Sequence, residues 1–152
     1  MSKSKVVTPY GGDQNEKKNE VASMFNKIAG NYDFLNHFLS MGIDKLWRKK
    51  VVKMVANVHA KYVLDVATGT GDLAIALLKA KPDKITGIDI SVGMLEKGNE
   101  KIKQLKVDNI IELVKGDSEN IQFNDATFDA ITVAFGVRNY QNLDKGLSEM
   151  FR

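Results

Sequence analysis

The segment Val63–Ala74, VLDVATGTGDLA, constrains this chain more than any other. An apolar strand run ends in Thr68-Gly69-Thr70-Gly71, and Asp72 opens a helical stretch through Leu78. Glycine permits positive φ and lets a ligand approach the backbone closely, so the spacing predicts a strand–turn–helix unit suited to cradling a ligand. Further strand candidates follow at Lys84–Ile90, Ile110–Val114 and Phe128–Phe135, after the first at Tyr62–Val66. Between them lies a helical stretch capped by Ser91 and carrying Leu95, Ile102 and Leu105. Leu143, Leu147, Met150 and Phe151 mark a closing helix. Strands alternating with helices predict parallel β-α-β units and an α/β fold. Ile131, Val133 and Phe135 alternate with the small residues Thr132 and Ala134, and a strand lacking a polar face is expected to be buried on both sides.

The front of the chain reads differently. Residues 1–15 are polar, with Pro9 and Gly11-Gly12, and predict a flexible arm. Residues 16–60 predict a helical region. Val21, Met24, Phe25 and Ile28 fall at helical spacing before a Gly30-Asn31 stop, and Leu35, Phe38 and Leu39 mark a second short helix ending near Gly42. A third begins with Asp44 as N-cap and places Trp47, Val51, Met54, Val55 and Val58 on one face. Residues 1–60 carry 10 basic and 5 acidic side chains, against 12 and 14 in residues 61–152, so the basic character belongs to the helical front. Lys45, Arg48, Lys49, Lys50 and Lys53 concentrate it on the third helix, most simply as a solvated face, otherwise as a contact for nucleic acid or an anionic membrane surface. The chain has no cysteine, which excludes a disulfide framework, cysteine-ligated zinc and a cysteine nucleophile. Its two histidines, His37 and His59, have no local acidic cluster that would suggest a metal site. The longest apolar run is about eight residues, where a spanning helix needs roughly twenty. A soluble, cytoplasmic protein is the expectation.

Formally Gly69, Gly71 and Ala74 satisfy the G-x-G-x-x-G/A pattern of dinucleotide sites. The charges around the loop argue against a pyrophosphate, which would sit at the helix N-terminus. Asp72 occupies that end, Asp65 precedes the first glycine, and no Lys or Arg lies between Tyr62 and Leu78 to compensate. S-adenosyl-L-methionine carries no phosphate. Its sulfonium and ammonium want anionic neighbours, while its carboxylate can still use loop N–H groups. Asp89, 18 residues past Gly71, falls near the spacing at which an acid grips ribose hydroxyls. Asp117 and Ser118, just past the third strand, are placed to bind the adenine edge. Each alone could be a cap or turn residue; together they arrive at the carboxyl ends of successive strands, where open α/β sheets bind ligands.

With these residues in view, the chain resembles the ubiquinone/menaquinone biosynthesis C-methyltransferases from about Val21 to Arg152. YDFLNHFLSMGIDKLW, Tyr32 to Trp47, is similar to that family's N-terminal signature through Tyr32, Asp33, Asn36, Ser40 and Trp47. Leu35 stands where methionine is usual and Asp44 where histidine is usual. Asp65, Gly69, Thr70, Gly71 and Asp72 match the cofactor loop. TFDAITVAFGVRN, Thr127 to Asn139, matches the fourth strand and its Arg-Asn end.

The resemblance implies a class I S-adenosylmethionine-dependent methyltransferase fold, Rossmann-like, that methylates a ring carbon of demethylmenaquinol or the related ubiquinone precursor. Attack by a ring carbon is helped when an adjacent phenol is deprotonated, so the site needs a proton acceptor and a group to hold the phenolate. By resemblance Arg138 and Asn139 face the methyl group, with Arg138 stabilising the phenolate and a water taking the proton, since guanidinium is no base. Tyr32 and Asn36 would cover the cofactor and admit the quinol. The family also implies further strands beyond Arg152, so that residues 61–152 form the first half of the methyltransferase domain, with sheet order 3-2-1-4 and an apolar edge at strand four that the remaining sequence or a second copy, as in a homodimer, would cover. A prenylated quinol partitions into lipid, and the basic helix from Asp44 to Val58 is then expected to touch an anionic membrane surface at the inner face. No nucleic-acid partner is implied, and no Asp/Asn-Pro-Pro-aromatic motif for exocyclic base amines follows the fourth strand. The alternatives are a methyltransferase for another small molecule, a non-catalytic S-adenosylmethionine-binding module, and a nicotinamide oxidoreductase.

Overall fold

The computed structural model describes residues 17–32 and 43–152. The predicted arm, and the short helix around Leu35–Leu39, lie outside the described residues. The first described element is α1 (Lys17–Ile28), closed where Asn31 N–H bonds the Ile28 carbonyl beside Gly30. Helix α2 (Ile43–Asn57) follows, and then β1 (Tyr62–Val66), α3 (Asp72–Leu77), β2 (Lys84–Asp89), α4 (Val92–Leu105), β3 (Ile111–Lys115), β4 (Ala130–Val133) and α5 (Leu143–Phe151). Among the described residues no helix is long and apolar enough to cross a membrane.

The strands form one parallel sheet in the order β3-β2-β1-β4. Alternation along each strand sends side chains to opposite faces, which gives the sheet two cores. Val63, Ile85, Ile111 and Leu113 pack with Val55, Leu73, Leu77, Leu95 and Ile102 under α2, α3 and α4. Leu64, Val66 and Ile88 pack on the other face with Ile121 and Tyr140, closed by Phe123, Phe128 and Met150. The predicted crossovers therefore exist, with helices on both faces.

Several boundaries move for identifiable reasons. The fourth strand is shorter than Phe128–Phe135 because Asp129 turns back, its carboxylate accepting the Lys61 and Tyr62 N–H groups at 2.9 and 2.8 Å, while Phe135–Asn139 winds into a 3-10 turn. β4 is an edge strand here, so Ile131 and Val133 are half-buried rather than enclosed on both sides. Helix α3 stops at Leu77 and tightens into a 3-10 turn over Leu78–Ala80. Ser91 is a cap as expected, accepting the Met94 N–H at 3.3 Å. Asp44 is not an N-cap: it lies inside the first turn of α2, is 2% exposed, and pairs with Arg48 one turn on. The face of α2 that packs inward runs through Asp44, Arg48, Val51 and Val55, which leaves Trp47 and Met54 more than half exposed instead of buried with Val55.

Candidate functional site

Everything converges at the carboxyl ends of the strands. The chain leaves β1 through Ala67, Gly69 and Gly71, all with positive φ (53°, 59° and 78°). Gly71 holds the N-cap position of α3, so Asp72 is the first helical residue and not the cap. Beneath the loop, Asp65 is 1% exposed and accepts the hydroxyls of Thr68 at 2.7 Å and Thr132 at 2.8 Å. Burial pushes its carboxyl up to about 6, the two threonine bonds pull it down, and the Asp89 charge pushes it up again.

Ala67 is the strained point, since a residue with a Cβ loses roughly 1–2 kcal/mol in the left-handed region. A Cβ added to Gly136 would lie 2.3 Å from the Ala67 Cβ, with the next atom at 3.7 Å. Gly136→Ala is therefore expected to destabilise the fold by about 2 kcal/mol, and Ala67→Gly to restore most of that loss in the double variant. Urea denaturation of the four proteins measures the coupling, and independent effects at the two sites would contradict it.

At the end of β2, Asp89 accepts the Gly69 N–H and the Ser91 N–H, each at 2.8 Å and each on a different oxygen. Burial raises this carboxyl, and the Ser91 and Gly69 N–H groups hold it down. The carboxylate lies on the cavity wall, and each oxygen can accept more than the one N–H it takes here. Asn26 of α1 bridges the same corner, its Oδ1 accepting the Ser91 hydroxyl at 2.7 Å and the Gly93 N–H at 2.9 Å.

Past β3, Asp117 accepts the Glu119 N–H at 2.9 Å and the Lys18 ammonium at 2.7 Å. Glu119 is 4% exposed; it takes the Gln141 and Asn142 N–H groups and also meets Lys18, at 3.1 Å. Ser118 lies between them, facing the Tyr140 phenol, which burial pushes up in pKa. The 3-10 turn after β4 carries Arg138, with its guanidinium carbon 5.9 Å from the Phe135 ring centre, and Asn139. These groups surround one cavity of about 320 Å³.

Of the residues singled out in the sequence, Gly69, Thr70, Asp89, Asp117, Ser118, Arg138, Asn139 and Tyr32 all line this cavity. Asp65 and Gly71 support the loop from outside the lining. Asn36 lies outside the described residues. The sequence reading missed Lys18, Asn26 and Glu119, and it misjudged Asp72. That carboxylate is compensated: Lys101 of α4 reaches it at 2.6 Å and also donates to the Thr70 hydroxyl at 3.0 Å, and Arg48 of α2 lies 3.2 Å away while pairing with Asp44. Absence of a nearby basic residue in sequence was no guide, because both partners come from other helices. With Asp72 compensated, its charge no longer argues against a pyrophosphate, and Asp89, which accepts the Gly69 N–H of the loop, sits where either kind of adenosine ligand would meet an acid.

A parallel sheet ending in a glycine loop, with acids after β2 and β3, has the arrangement of the class I S-adenosylmethionine-dependent methyltransferase fold, and solved structures show that fold. A crystal structure from Methanococcus maripaludis, 24% identical, matches all of this chain and 62% of its own at a TM-score of 0.74, which shows the same fold. A SAM-dependent methyltransferase from Aquifex aeolicus is 30% identical, covering 69% of this chain and 56% of that one at a TM-score of 0.59. The sequence profile of the ubiE/COQ5 methyltransferase family matches residues 13–152, and the chain belongs to that family. It is 46% identical to the demethylmenaquinone methyltransferase of Porphyromonas gingivalis over 155 aligned residues, covering 100% of this chain and 62% of that protein. It is 43% identical to the ubiquinone/menaquinone biosynthesis C-methyltransferase of Geotalea daltonii, over 90% of this chain and 59% of that one. The chain thus spans about three fifths of the length of these relatives.

Proposed function

We propose that this protein is a C-methyltransferase of quinone biosynthesis that takes its methyl group from S-adenosyl-L-methionine and gives it to demethylmenaquinol. The observation carrying the reading is Asp89, a carboxylate on the cavity wall whose two oxygens are fixed by the Gly69 and Ser91 N–H groups. Two adjacent acceptors suit the two ribose hydroxyls. Ser118 and Asp117 would read the adenine edge, with Asp117 Oδ2, engaged by Lys18 in this structure, as the acceptor for the exocyclic amine. Gly69, Thr70 and Gly71 shape the loop under the amino-acid end, and Asp65 acts through Thr68 from below. When bound, S-adenosylmethionine supplies a methyl group made electrophilic by its sulfonium.

The acceptor side belongs to Arg138, Asn139 and Tyr32. Arg138 cannot take a proton, but its fixed charge lowers the cost of forming a phenolate, and water carries the proton away. Asn139 would orient the adjacent oxygen, and the Tyr32 ring, edge-on to Phe25 at 5.8 Å, walls the entrance. Arg138→Gln is expected to slow methyl transfer by about two to three orders of magnitude, while affinity for S-adenosylmethionine changes by less than about threefold. Calorimetric titration with the cofactor, followed by radiolabelled transfer to demethylmenaquinol, tests both halves. Tight binding of NADH with no binding of S-adenosylhomocysteine would overturn the reading.

A further inference from the structure

Helix α2 carries an outward surface that, apart from Trp47, lies outside the cavity. Its inward face is Asp44, Arg48, Val51 and Val55. Its outward half exposes Ile43 (50%), Leu46 (63%), Trp47 (65%) and Met54 (62%), and Val58 just beyond the helix is 64% exposed. Lys45, Lys49, Lys50 and Lys53 are exposed among them. The helix has one acid, Asp44, and it is turned inward against Arg48. The outward surface is therefore apolar and cationic with no negative charge of its own.

We propose that this face docks on the surface of an anionic lipid bilayer. Interleaved lysines argue against a protein partner, because the buried centre of a protein–protein interface is depleted of lysine. A bilayer surface accommodates both kinds of side chain: the apolar ones enter the headgroup boundary, while lysine stems lie alongside and their ammonium groups reach lipid phosphates. Trp47 belongs to the exposed patch and also lines the cavity, so the docked face is continuous with the mouth of the site. The purpose of that continuity rests on the quinol reading, since a lipid-soluble acceptor would enter beside Trp47 without crossing water. The surface itself stands on exposure and charge alone.

Trp47 is the single tryptophan of the chain, and it reports directly from the patch. Mixing the protein with vesicles of equal parts phosphatidylcholine and phosphatidylglycerol is expected to shift its emission to the blue and to sediment the protein, with the effect weakened by added salt. Vesicles of phosphatidylcholine alone should do neither. At about 1 kcal/mol per lysine near an anionic surface, the triple variant Lys49→Glu, Lys50→Glu, Lys53→Glu should bind at least about a hundredfold more weakly. Leu46→Ser with Met54→Ser should lose about tenfold, given the apolar area each removes from the lipid. Both variants should keep their helical circular dichroism and cofactor affinity, because none of these residues lines the cavity. Indifference to phosphatidylglycerol, or undiminished binding by the charge-reversed variant, overturns the proposal. Methylation of a short-chain quinol without vesicle binding would sink the surface and leave the reaction standing. Vesicle binding with no methyl transfer to demethylmenaquinol would do the reverse.

Discussion

Replacing Asp89 by asparagine is expected to weaken S-adenosylmethionine binding by about a hundredfold or more and to destabilise the fold by about 2–3 kcal/mol, although the two side chains have the same shape. The reason is donor arithmetic. Each carboxylate oxygen accepts a backbone N–H at 2.8 Å, one from Gly69 and one from Ser91. An asparagine has one oxygen to offer, and its NH₂ would face whichever N–H the oxygen did not take. One partly buried donor is then left without a partner, and the loop must move away from it. The same change removes one of the two acceptors proposed for the ribose. Calorimetry with S-adenosylhomocysteine and a urea titration read the two effects separately. Asp89→Asn binding as tightly as the native protein would remove Asp89 from the site.

The loop is also held from the other side. Gly98 of α4 has no room for a side chain, since an added Cβ would meet the Thr70 carbonyl oxygen at 3.0 Å and a Leu113 methyl at 2.4 Å. Close approach of α4 lets Lys101, one turn on, reach Thr70 and Asp72 together. Arg48 ties the same Asp72 to α2. The glycine loop is thus fixed by β2 through Asp89 and by two helices through Asp72, which is why its three positive-φ residues can persist next to an open cavity.

What the sequence made legible follows from the range of the interactions involved. The strand–turn–helix at Val63–Ala74 and the acid at Asp89 are local patterns, set by periodicity and by distance along the chain, and the structure has them where the spacing predicted. The sheet order was expected only from the family resemblance, since β4 pairs with β1 across 67 residues (Val63 with Ala130), a separation that no local pattern encodes. Asp72 failed as an argument because its partners lie 24 residues before it and 29 after it, on helices whose packing no local pattern encodes. Lys18 is 99 residues from Asp117, and Asn26 is 65 from Ser91. In the sequence both look like polar positions on a helix surface. Trp47 and Met54 failed in the opposite direction: apolar spacing placed them with Val55, but the stripe of α2 that faces inward also includes Asp44 and its partner Arg48.

Asp65→Asn is expected to make the protein more stable, by about 1–3 kcal/mol near pH 8, and the gain should vanish on acidification. In the unfolded chain this carboxyl titrates at its ordinary 3.8, and in the fold burial moves it to about 6. Between those values the folded state holds a proton that the unfolded state releases, so the stability this group contributes is complete below about pH 4 and is lost as pH rises through about 6. At roughly 1.4 kcal/mol for each pH unit separating the two values, the ionised carboxylate costs the fold on the order of 3 kcal/mol near neutrality. An asparagine carries no such charge, and its amide remains satisfied, because its oxygen accepts one threonine hydroxyl while its NH₂ donates to the other after that hydroxyl turns. Asp89 is also raised by burial and adds a slope of the same sign in both proteins, so the difference between them reports Asp65 together with its repulsion from the Asp89 charge. Urea midpoints taken from about pH 4 to pH 8 should therefore diverge with rising pH, with the variant on the more stable side. Parallel curves, or a variant that falls below the native protein at pH 8, would mean that the buried charge is compensated by a partner other than the two threonines.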